Sequence, residues 1–100
     1  MPTSTVTLVA STVSTVHLPG GAGRVVVTIL SGPSSVSVTT DGTVPTSPAS
    51  NIETDSNQQV LVGTVGAQAV FQPIYPAGQF RADTPVNMFS VGTPTLTVQW

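Results

Sequence analysis

Arg24-Val25-Val26-Val27-Thr28-Ile29-Leu30-Ser31 runs into Gly32-Pro33-Ser34 and then into Ser35-Val36-Ser37-Val38-Thr39-Thr40, and this stretch decides the fold class. Val25, Val27 and Ile29 alternate with Val26, Thr28 and Leu30, and Val36 and Val38 sit between serines and Thr39. The period is two, that of a pleated strand, where a helix repeats every 3.6 residues. β-Branched side chains suit such a pleated, half-buried surface. The centre of the first run is apolar on both faces, as for an inner strand covered on both sides, by a second sheet or by a neighbouring subunit.

The same alternation recurs outward from this stretch. Val6, Leu8 and Ala10 alternate with Thr5, Thr7 and Val9, and at the other end Leu96, Val98 and Trp100 alternate with Thr95, Thr97 and Gln99. Nine Gly and nine Pro punctuate the chain. They do so at the spacing of a sandwich or barrel. Strands are expected near 5–9, 12–18, 24–31, 35–40, 59–64, 69–72, 86–91 and 95–100. The reading is therefore an all-β chain, a single-domain antiparallel β-sandwich over residues 1–100, Greek-key or jelly-roll-like, with about eight strands. Hairpins are expected at Gly20-Gly21-Ala22-Gly23 and at Ser31-Gly32-Pro33-Ser34.

Two longer connections stand apart, and loops of such length in a compact domain are usually functional or disordered. Asp41–Gln58 is polar and rich in serine around Ser50–Ser56, as for an exposed tip. Pro73–Pro85 carries Ile74, Tyr75 and Phe80, too apolar for an idle solvent loop, between stiffening prolines. It is expected to pack across the end of the sandwich or on a partner.

Composition removes several functions. Only 6% of the residues are charged, with no lysine, and the formal net charge is −2. Average usage is about 25%. Two arginines do not neutralise the roughly six to ten phosphates of a DNA footprint, so no nucleic acid is expected as partner. The absence of cysteine rules out thiol catalysis and disulfides. The N-terminal Met1-Pro2-Thr3-Ser4-Thr5 lacks the basic and apolar regions of a signal peptide, and the longest apolar runs fall far short of a span, so no membrane association is expected.

Folded area for this mass is about 5,300 Å², or on the order of 900 Å² per charged residue. That matches the roughly 800 Å² each partner contributes to a standard interface. Such a surface suits a subunit of an assembly.

Candidate chemical sites yield to plainer readings. The glycine cluster leads into a strand, with no helix N-terminus or lysine to hold a phosphate. His17, the only histidine, has no nucleophile and carboxylate arrangement around it in the sequence. Asp41 sits in Thr40-Asp41-Gly42-Thr43, which is turn chemistry; Glu53 and Asp55 share one loop, and Asp83 stands near Arg81, with which it is expected to pair. No spacing matches an EF-hand. No cofactor, metal or catalytic residue is expected, and no enzyme activity. Five aromatics leave little for a sugar-stacking platform. Trp100 reads first as a core residue pinning the last strand and second as an interface anchor.

Three segments, Val25–Thr28, Ser35–Thr46 and Val86–Val98, carry a resemblance. A strand ending in Thr40-Asp41-Gly42, a Pro45-Thr46 step and a closing Ser90-Val91-Gly92-Thr93-Pro94 turn before a last strand resemble small β-rich virion structural proteins, capsid decoration-like, of actinobacterial tailed phages. The resemblance covers about half the chain, and its motifs are turn chemistry. It implies a decoration (cement) protein bound to the major capsid protein lattice. Its place would be the capsid surface of the virion, after assembly in the host cytoplasm. It also implies self-association, a trimer being favoured. A tail or head-tail connector protein and a carbohydrate-binding β module are the alternatives. The segments Asn51–Gln58 and Pro73–Pro85 are longer than in the family pattern, which leaves the attachment surface open. Parity and composition nominate Val26, Leu30, Ile74, Tyr75, Phe80 and Trp100 as interface residues.

Overall fold

Strand follows strand along the chain, with no helix among the described residues, which in this computed structural model are 2–32, 34–40, 42, 44–45, 58–61, 64–73 and 78–100. The elements are β1 (Thr3–Thr7), β2 (Ser14–Leu18), β3 (Val25–Ser31), β4 (Val36–Thr39), β5 (Gln58–Leu61), β6 (Gln68–Phe71), β7 (Thr84–Phe89) and β8 (Thr95–Gln99). Bounds differ from the sequence reading by a few residues. β7 starts two residues early and includes Pro85, which is tolerated because β4 pairs with β7 only as far as Asn87.

The strands form two antiparallel sheets of four, a first sheet in the order β1-β8-β3-β6 and a second in the order β2-β7-β4-β5. Pairing β1 with β8, β2 with β7, β3 with β6 and β4 with β5 is the winding of a jelly roll, in which long antiparallel ribbons bend over a common core. The registers make the ribbons visible. Thr3 faces Gln99 and Ser14 faces Met88, so partner numbers add to 102 in both sheets and the ribbon crosses between them without a slip. At the bend, the Leu8 N–H donates to the Pro94 carbonyl (2.9 Å) and the Ser11 N–H to the Ser90 carbonyl (2.8 Å). Gly92 is needed there because a Cβ would run into the Ser34 hydroxyl.

This winding corrects the expected hairpins. β2 and β3 lie in different sheets, as do β3 and β4 and β7 and β8, so Gly20–Gly23, Ser31–Ser34 and Ser90–Pro94 are crossings over the core. A short turn fits either geometry. What selects the crossing is that each strand must lay its apolar face on the same core from the opposite side.

That core contains Val25, Val27, Ile29, Ala69, Phe71, Leu96 and Val98 from the first sheet and Leu18, Val36, Val38, Leu61, Val86 and Met88 from the second, with Leu8, Ala22 and Phe80 closing it. The alternation seen in the sequence is the alternation of the sandwich. The radius of gyration, 12.2 Å, is that of one compact unit of this length.

Candidate interaction face

Because strands alternate, the registers also fix what the two sheets turn outward. On the first sheet, Thr5, Thr97, Thr28 and Gln68 stand in one row across β1, β8, β3 and β6. Thr3, Gln99, Val26 and Val70 stand in the next. Thr7 and Thr95 begin a third, their hydroxyls 3.1 Å apart. Beside them β3 is bulged: Ile29 faces Leu96 and Ser31 faces Thr95, which leaves Leu30 as the extra residue. A bulge re-aims its side chain, and Leu30 is 47% exposed here. Val70 is 42% exposed beside Val26. No residue of these rows is charged, and Arg24 lies at the rim, one residue before β3.

The second sheet's outward residues behave differently. Ser37, Thr39, Asn87 and Phe89 have outward parity, yet all four are buried. The Thr15 hydroxyl donates to Asn87 Oδ1 at 2.7 Å. The Ser37 hydroxyl has no hydrogen-bond partner. The outer face of the second sheet is therefore covered along β7 and β4, while Thr15 and His17 on β2 stay exposed; the outer face of the first sheet is the more open one. The open face offers hydroxyls, amides and aliphatic groups, which make contacts by burial and hydrogen bonding.

The nominated residues divide accordingly. Val26 and Leu30 both have outward parity on the first sheet, but Val26 is buried at 9% and of the two only Leu30 projects, through the bulge. Ile74 and Tyr75 lie outside the described residues. Phe80 is corrected: it is 2% exposed and sits in the core. Its N–H donates to the Ala22 carbonyl (2.7 Å) and its carbonyl accepts from the Gly21 N–H (3.0 Å), so Phe80 is clamped across the end of the sandwich. Trp100 is half-buried against the core and its N–H donates to the Pro2 carbonyl (3.1 Å), as the core reading expects.

Residues that carried the catalytic alternatives are structural or apart. His17 is exposed on β2, facing Pro85 across the ladder. Asp83 occupies a left-handed turn position (φ 62°) and its N–H donates to the Leu18 carbonyl, 2.8 Å away. Asp41, Glu53 and Asp55 lie outside the described residues. Among the described residues no three His, Cys, Asp or Glu side chains gather as metal ligands. The threonine rows were the feature that site nomination missed, although Thr3-Ser4-Thr5-Val6-Thr7 and Thr95-Leu96-Thr97 announce them.

No protein-family model matches the chain, and no curated protein or solved structure is significantly similar to it.

Proposed function

We propose that this protein is a structural component of a phage virion, a decoration protein that binds the outer surface of the major capsid protein lattice and stabilises the head. The observation that carries the reading is the open, charge-free outer face of the first sheet, against a second sheet whose outer face is covered along β7 and β4. A surface with hydroxyls, aliphatic groups and no charge suits a permanent contact better than bulk solvent. The jelly-roll winding supports it as analogy only, since capsid and lectin domains both use that architecture.

The mechanism is mechanical. Each copy buries its open face on the shell at a junction between capsomers, and at about 25 cal/mol per Å² of apolar area many copies add up to a shell that resists internal pressure. Copies also contact their own kind, a threefold cluster at each junction being the arrangement expected from the sequence.

Purified heads and tails from the parent phage, separated and analysed for copy number, test the reading. Hundreds of copies on heads, lost when Leu30 and Val70 are both changed to Asp, are the expected result. Tens of copies on tails would place the protein in the tail or connector, and absence from both would end the virion reading. Specific binding on a glycan array, with no affinity for heads, would favour the carbohydrate-binding alternative.

A further inference from the structure

We propose that β1 is a self-association edge, through which two copies of this chain pair antiparallel about a two-fold axis at Thr5, merging their first sheets into one eight-stranded sheet. The argument begins with which backbone groups face outward. Among the described residues β1 ends the first sheet and pairs with β8. The Leu8 N–H bonds to the Pro94 carbonyl and the Pro2 carbonyl receives the Trp100 N–H, so even-numbered residues turn their backbone groups toward β8. In an antiparallel ladder the alternate residues point the other way. Thr5 and Thr7 therefore present N–H and C=O groups along the edge, and both residues are exposed.

An edge of this kind is normally guarded by lysine, proline, a bulge or a covering segment. β1 has none of the first three in its span. The opposite edge of the same sheet is guarded: the Gln59 side-chain amide reaches from β5 and donates to the Val70 carbonyl of β6 at 2.8 Å. Pairing β1 with β6 of another copy would repeat without closure into filaments, and the Gln59 amide already holds the carbonyl such a pairing needs. Pairing β1 with β1 closes after two copies.

The second copy is the occupant that fits because the edge is complementary to itself. Centred on Thr5, the pairing sets Thr5 against Thr5 and Thr7 against Thr3, with no like charges meeting across the axis. Threonine opposite threonine is a favourable cross-strand pair, and the protein already uses it where Thr7 meets Thr95 across β1 and β8. The contact joins copies two by two, and it does not depend on the virion reading.

Two variants test it on the full chain. Thr5→Pro removes an N–H that points away from β8, so the sandwich stays folded, while both bonds on the axis are lost; sedimentation over a concentration series should show wild-type dimers and an association about thirtyfold weaker in the variant. Thr5→Cys places its only thiol on the axis, at the roughly 5.5 Å Cα separation that a disulfide accepts. Under mild oxidation it should give a covalent dimer, whereas Val65→Cys, on an exposed turn away from β1, should not. Wild-type protein that sediments only as monomer or as trimer, or cross-linking at Val65→Cys equal to that at Thr5→Cys, would overturn the proposal.

Discussion

Replacing Phe80 by alanine should destabilise the fold severely, although Phe80 lies between strands in a segment whose sequence fits packing across the end of the sandwich or on a partner equally well. The side chain is 2% exposed and belongs to the central cluster, so the whole ring is lost from the interior. Transfer of a buried Phe contributes about 1.5–3 kcal/mol. A cavity term follows if the surroundings do not close in, bringing Phe→Ala losses to about 3–5 kcal/mol. Here the backbone is held by the Phe80 N–H to Ala22 and the Gly21 N–H to Phe80, so the segment cannot sink into the gap, which argues for the upper half of that range. For a domain of this length the corresponding fall in melting temperature is roughly 16–40 °C. Urea titration followed by Trp100 fluorescence measures it, because the only tryptophan is half-buried against the same core. Phe80→Leu should recover most of the loss. A Phe80→Ala cost below about 1 kcal/mol would refute the reasoning and return Phe80 to the surface.

Three further outcomes follow from single contacts. Ser37→Ala should leave stability unchanged or raise it by about 1 kcal/mol, because the Ser37 hydroxyl is buried without a partner; a clear loss in urea titration would mean that the hydroxyl is engaged. Gly92→Ala should cost about 1–3 kcal/mol through collision with Ser34. Adding Ser34→Gly should restore at least half of that, and a double-mutant cycle without coupling would contradict the close approach. Binding of the protein to isolated heads should change little between low and high salt, since no charged residue lies in the rows of the first sheet; a steep loss of occupancy with salt would point to a charged attachment surface instead.

The strands were legible because their signal is local. Val25-Val26-Val27-Thr28-Ile29 and Thr95-Leu96-Thr97-Val98 each declare an inner and an outer set, and the inner sets meet in the core as parity demands. Sheet membership was not legible in the same way. Gly32 and Gly92 mark turns, but only the packing of Gly92 on Ser34 and of β3 beside β8 shows that those turns cross the core. For Phe80 the sequence did not decide between the end of the sandwich and a partner, since parity has no meaning outside a strand, and an aromatic in a loop gives no local sign of the layer it enters. Ser37 and Thr39 read as the polar half of an ordinary amphipathic strand; their burial depends on what lies over the second sheet, which alternation within β4 does not encode. Leu30 was nominated by parity and is exposed through a bulge, so the residue was right and the geometry behind it was not visible in sequence.

The scarcity of charge bears differently on the three places where a sheet normally meets water. Over the second sheet it costs little, because Thr39, Asn87 and Phe89 are already buried and a charge there would need a buried partner. At β6 the guarding function of a charge is supplied by a neutral amide, Gln59 on Val70. Among the described residues the first sheet's outer rows are Thr, Gln, Val and Leu, and β1 itself has only threonine, serine and valine. Uncharged protection is therefore present at one edge of the first sheet and missing at the other. Random loss of lysine would leave both edges bare, whereas a chain adapted to contact along β1 and the open face would guard only what stays outside the contact. The pattern in the structure is the second one, which supports the proposed contact along β1 and the open face.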